Sequence, residues 1–180
     1  CTESVSLIVG VSKKPWNFSV STPNDITAYG DRIFVCDGNN RVVRVYARDG
    51  VELVQSIQMR SDTCPCGVAA FRGELFVVDV SNCNVLVFDL QRYNLVRDFG
   101  RRGDEDGMFI EPYGIAVSSR GEVYVSDWGK NNVQVFNING EYIRQFGSYG
   151  NRPGEFDSPD GIAIDTDGLT VYVCDTGNHR

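Results

Sequence analysis

The chain has 180 residues, 42% of them hydrophobic and 23% charged, with 19 glycines, the profile of a globular domain rich in turns. Seventeen Lys and Arg against 24 Asp and Glu give a net charge of −7, which argues against a reader of nucleic acid that needs a broad positive footprint. The longest apolar stretch, "VSLIVGV", is far short of a membrane span, and no leader pattern is visible.

In chain order, the first segment is "LIVGVSKKPWNFSVSTP". Its shape returns later as "RQFGSYGNRPGEFDSP", so residues 1–22 are expected to be the outer strand and connector of a preceding unit. Then a unit repeats. The first copy is "PNDITAYGDRIFVCDGNNRVVRVY" from Pro23, and the second is "PCGVAAFRGELFVVDVSNCNVLVF" from Pro65. The third, from Pro112, is "PYGIAVSSRGEVYVSDWGKNNVQVFNINGEYIRQFG", and the fourth, from Pro159, is "PDGIAIDTDGLTVYVCDTGN". Asp37, Asp79, Asp127 and Asp175 close the second apolar run of each copy, 42, 48 and 48 residues apart. The runs are short and rich in Val, Ile, Phe and Tyr, as in "GIAVS", "EVYVSD", "NVQVFN" and "YIRQFG". Turn residues such as "SSRGE", "DWGKNN" and "NING" separate them. This predicts strands, and nothing offers apolar residues at helical spacing.

Four antiparallel strands per unit of about 40–50 residues predict an all-β chain of propeller blades, each needing a neighbour to cover its faces. The expected division is blade one at 23–64, blade two at 65–111, blade three at 112–158 and the start of blade four at 159–180. The fourth copy reaches Arg180 before a third strand, and six blades at this period need roughly 280 residues. The expectation is therefore an open arc of about four blades from a six-bladed ring, with edges prone to self-association.

The pattern "PxGIAV…GxVYVSDWGxNNVQVFN…GEYIRQFG" resembles the NHL repeat from about Ser4 to Arg180, most sharply in the third and fourth copies. WD repeats fit less well because their Gly-His element is absent, and kelch repeats because paired glycines are absent. The YWTD propellers are the nearest rival, but the strands read "VYVSD" and "VYVCD". The resemblance implies a non-catalytic binding scaffold, with a protein partner or the substrate-recognition role of a ubiquitin ligase. RNA binding is the alternative, and a fragment of a propeller enzyme similar to the peptide-amidating lyases is a third reading. It implies no cofactor, no DNA and no membrane partner, and a cytoplasmic setting.

The four aspartates recur once per blade, so they are expected to serve turns rather than chemistry, accepting backbone N–H groups as in an Asx turn. Asn40, Asn82 and Asn178, three residues on, fit the same turn, with Lys130 in the third copy. Gly67, Gly114 and Gly161 begin the inner strands, where close backbone approach or positive φ would require glycine; Asp25 takes that place in blade one. No catalytic motif is found, and the lone histidine, His179, reads as a loop residue. Cys64, Cys66 and Cys83 are expected to gather on top of blade two, where a disulfide or zinc is weighed against free thiols without the usual spacing of a zinc site.

Successive strands alternate direction, so the connectors and the aspartate hairpins share one face of the ring, the top. The binding surface is expected around blade three. There Trp128 stands where other copies have Gly38, Val80 and Thr176. Lys130, Asn131 and Asn132 follow it, Tyr113 and Asp160 come from neighbouring strand starts, and Arg101, Arg102 and Phe109 from the connector. Tyr, Trp and Arg are enriched at binding hot spots. The competing expectation for Trp128 is packing between blades.

Overall fold

The computed structural model describes residues 20–49, 52–165 and 167–180. The predicted outer strand and connector at 1–22 lie outside these, except for the last three positions. Strands follow one another along the described chain with no α-helix among them.

The first sheet holds β1 (Pro23–Tyr29), β2 (Arg32–Asp37), β3 (Val42–Ala47) and β4 (Leu53–Gln58). The second holds β5 (Pro65–Phe71), β6 (Glu74–Asp79), β7 (Asn84–Asp89) and β8 (Leu95–Phe99). The third holds β9 (Pro112–Val117), β10 (Val123–Asp127), β11 (Asn132–Phe136) and β12 (Tyr142–Phe146). The fourth holds β13 (Pro159–Ile164) and β14 (Val171–Asp175). Each sheet is an antiparallel meander in sequence order. Local chemistry makes the hairpins: Arg72 and Gly73, at φ 46° and 82°, form a two-residue link with both residues left-handed, as a primed turn requires.

The sheets stack face to face, and consecutive residues of a middle strand serve opposite interfaces. In β6, Leu75 and Val77 join Phe34, Cys36, Val43 and Val45 of the first sheet. Phe76 and Val78 join Phe136, Val123, Val125 and Ile115 of the third. Tyr124, Val133 and Val135 carry the stack on to Ile162, Val171 and Val173 of the fourth. A sheet covered on both sides needs apolar residues at every position, which is why "ELFVVD" shows no alternation. The inner strands β1, β5, β9 and β13 run side by side, the arrangement of blades about an axis.

The four blade aspartates are buried, and each carboxylate ties its own hairpin to the connector arriving from the previous blade. Asp37 accepts the N–H groups of Ser21 and Thr22, the Asn40 amide at 2.9 Å and Arg44 Nε at 3.0 Å. Asp79 accepts Cys64 N at 2.9 Å, Ser81 N at 3.1 Å and the Asn82 amide at 2.6 Å. Asp127 accepts Ile110 N at 2.9 Å, Glu111 N at 3.0 Å and Lys130 N at 3.1 Å. Asp175 accepts Asp157 N at 2.7 Å, the Asn178 amide and Arg180 Nε at 2.7 Å. The connector bonds, 15 to 18 residues away in sequence, were not part of the sequence reading, which considered only the turn. Arg44, on β3, thus ion-pairs with the blade-one aspartate of its own sheet.

Four residues after each aspartate the backbone turns left-handed, at Arg41, Cys83, Asn131 and His179 with φ of 53° to 57°. Asn tolerates this conformation better than most side chains. The glycines at the inner strands answer to close approach. A Cβ on Gly67 would lie 2.3 Å from the Tyr113 carbonyl oxygen, and one on Gly114 would lie 2.4 Å from that of Asp160.

Candidate functional site

The top of blade three is built from the connector 100–111, the start of β9, the hairpin after Asp127 and the start of β13. Its backbone is held from several directions. Asp127 binds the connector as described, and Trp128 N donates to the Glu111 carbonyl at 2.9 Å. Lys130 Nζ donates to the carbonyls of Glu105 at 3.0 Å and Met108 at 3.1 Å. The buried Gln134 amide accepts Gly107 N at 3.0 Å and donates to the Met108 carbonyl at 2.7 Å.

This geometry divides the sequence-predicted residues. Trp128 is 43% exposed on a hairpin whose backbone is fixed. Arg101 is exposed, 3.9 Å from Glu105. Arg102 is exposed and reaches the Ser81 carbonyl at 3.3 Å. Phe109 is no surface residue: it is 0% exposed, and its ring packs 5.5 Å from that of Phe136 in the core. Gly100 is the residue that leaves room for it, since a Cβ there would come within 2.4 Å of the ring. Asn132 is likewise buried, donating to Gln145 Oε1 at 2.9 Å. Lys130 is spent on carbonyls, and Asn131 holds the left-handed turn and accepts Ser158 N at 2.8 Å. The thiols do not assemble either. Cys64, Cys66 and Cys83 are free; Cys66 donates toward the carbonyls of Val78, Pro112 and Tyr113, and Cys83 toward Ile110. Among the described residues no group of three metal-ligating side chains could hold an ion. Carbonyls that the blade stack brings within reach take the thiol protons instead.

Tyr113 and Asp160 lie deeper, on a cleft of about 410 Å³ along the inner strands that Asp25, Cys66, Tyr172 and Cys174 also line. The Ser126 hydroxyl joins two blades there, accepting Gly114 N at 2.9 Å and donating to the Asp160 carbonyl. Asp25 reaches across to the second blade, where its carboxylate accepts Val68 N at 2.8 Å. Burial pushes this carboxyl up to about 6; the N–H groups of Val68 and Ile26 pull the other way, and Asp160 adds repulsion. Burial also raises the Cys66 thiol and the Tyr113 phenol, keeping both protonated. The cleft therefore presents donors and a titratable carboxyl. Asp25 was visible in the sequence as a departure from glycine, but its reach to another blade was not.

Residues 104–180 match the family described as a 6-bladed β-propeller. The protein lin-41 of Caenorhabditis elegans is 47% identical over 45 residues, 25% of this chain and 4% of its own length. The protein wech of Drosophila melanogaster is 38% identical over 78 residues, 43% of this chain and 8% of its own. The chain is a β-propeller that is similar, over these spans, to lin-41 and wech. A streptogramin B lyase structure superposes with a TM-score of 0.69 at 13% identity, covering 91% of this chain and 52% of that one. At that identity the likeness is one of fold alone. The propeller thus spans under a tenth of the curated relatives it matches. No helix among its described residues is long and apolar enough to cross a membrane.

Proposed function

We propose that the propeller is a non-catalytic scaffold whose top face at blade three docks a protein partner, in the manner of a substrate-recognition domain of a ubiquitin ligase. The observation that carries this is Trp128: an indole 43% exposed on a hairpin held by Asp127, where the repeat itself accepts Gly38, Val80 or Thr176. A rigid platform loses little entropy on binding, and an exposed indole beside arginines has the character of a hot spot. Arg101 and Arg102 complete the patch, with Tyr113 at its inner margin. The test is Trp128→Ala in the full-length protein, with affinity for partners captured from the source cell and thermal melting measured in parallel. Binding is expected to weaken by about 2 kcal/mol, or about thirtyfold, with the melting point unmoved. A fall in melting point with binding per folded molecule unchanged would assign Trp128 to the scaffold. RNA is the competing partner; its sign would be affinity that drops steeply with added salt and depends on Arg101 and Arg102.

A further inference from the structure

The cleft of about 410 Å³ along the inner strands has a one-sided charge. Asp25 and Asp160 both line it, close enough to repel each other. Neither forms an ion pair among the described residues, and no described Lys, Arg or His lines the cleft. The repeat does not require these carboxylates. Asp25 stands where the other blades have Gly67, Gly114 and Gly161, and Asp160 where they have Asn24, Cys66 and Tyr113. Each oxygen of Asp25 accepts one backbone N–H, from Ile26 and from Val68, both at 2.8 Å. These bonds fix the carboxyl in place without cancelling its charge. The half-buried Tyr113 and the exposed Tyr172 bring two phenol rings to the same cleft.

We propose that this cleft binds an organic cation, an ammonium or guanidinium group, carried by a free small molecule or by a side chain of a partner protein. The volume is that of a small-ligand site. A cation is the group its walls lack, since two carboxylates in a partly desolvated space oppose each other's ionisation and a positive charge beside them relieves both. Aromatic rings attract cations through their faces. They suit an organic cation better than a bare metal ion, for which no group of three ligating side chains exists among the described residues. The titratable groups around Asp25 are Cys36 of β2, Cys66 of β5, Tyr113 of β9, Asp160 of β13, and Tyr172 and Cys174 of β14. None of them supplies a positive charge. Burial holds the Asp25 carboxyl up at about 6, so the cleft gains negative charge as the pH rises through that value. Cation binding should therefore tighten from about pH 5 to 7, with release of a proton. The cleft shares Tyr113 with the Trp128 surface but does not depend on it.

The probes are n-propylguanidinium and Nα-acetyl-arginine methylamide, each titrated calorimetrically into the full-length protein at pH 5 and pH 7. Saturable binding is expected, tighter at pH 7, and it should be lost with the neutral isostere Nα-acetyl-citrulline methylamide. Asp25→Asn keeps an oxygen for Val68 N and should weaken the cations by about tenfold or more at pH 7, and it should flatten the pH dependence. Asp160→Asn, at an exposed position, should weaken them while leaving the pH dependence in place. Trp128→Ala should leave the affinity unchanged, which separates this site from the docking surface. Tighter binding of the arginine derivative, whose amides extend the contact, would assign the cleft to a protein side chain; tighter binding of propylguanidinium would assign it to a free cation. No saturable binding of either probe, equal binding of the citrulline derivative, or an Asp25→Asn protein with an unaltered melt and wild-type affinity would overturn the proposal. So would binding of calcium or magnesium that neither organic cation displaces, since the cleft would then belong to a metal.

Discussion

A single substitution within the repeat, Asp25 for the glycine of other blades, gives the inner cleft its titratable group. A carboxyl near 6 when folded, against about 3.9 in an unfolded chain, means that the folded state holds the proton more tightly. Its contribution to stability is therefore fully present below about pH 4 and is lost as the pH rises through about 6. The blade carboxylates run the other way. For Asp37, burial opposes ionisation, but bonds from Asn40, Thr22, Arg44 and Ser21 outweigh it and hold the pKa below its usual range. Asp175 behaves alike, with Asp157 N, Asn178 and Arg180 as the bonds that outweigh burial. These two stabilise above about pH 4 and lose that contribution in acid. Asp25→Asn keeps an oxygen for Val68 N and removes the ionisation. Urea midpoints measured between about pH 4.5 and 7 should show the variant gaining on wild type as pH rises; a difference that stays constant would mean that Asp25 does not titrate in this window.

At the scale of the strand, close approach between inner strands explains why glycine recurs where it does. Gly67→Ala and Gly114→Ala would push a Cβ to 2.3 and 2.4 Å from the backbone oxygens of the next blade. Backbone cannot yield as a flexible side chain would, so each should cost about 2–3 kcal/mol by chemical denaturation. A cost below about 0.5 kcal/mol at either position would contradict the close-approach account.

At the scale of the whole molecule, the blades are locked together by connectors as well as by stacked faces. Phe109 is the example. It sits in the connector between blades two and three, under Gly100 and against Phe136, in the cluster shared by both sheets. Phe109→Ala should therefore destabilise the protein by about 3–5 kcal/mol, read as a fall in the denaturation midpoint. A loss below about 1 kcal/mol would mean that the connector is not part of the core. Sequence reading placed this residue on the binding face because its loop lies there. A loop's position does not tell which of its side chains turn inward.

The sequence by itself determined the all-β class, the blade unit and the propeller likeness. A repeat of turn residues and doubly buried strands constrains these locally, blade after blade. It also marked Trp128, because a departure from a repeat is visible without coordinates. The tertiary structure alone decided which candidates are surface: Lys130 is held by connector carbonyls more than 20 residues away, Asn132 by Gln145 of β12, and Phe109 turns inward onto Phe136. It decided as well that Cys66 and Cys83 find separate carbonyls, that Asp25 faces a second blade, and that a connector six residues shorter leaves a groove open over Leu86, Phe88 and Leu95. Where these contacts join two blades, the distance across the gap is set by how sheets pack rather than by any local pattern of residues.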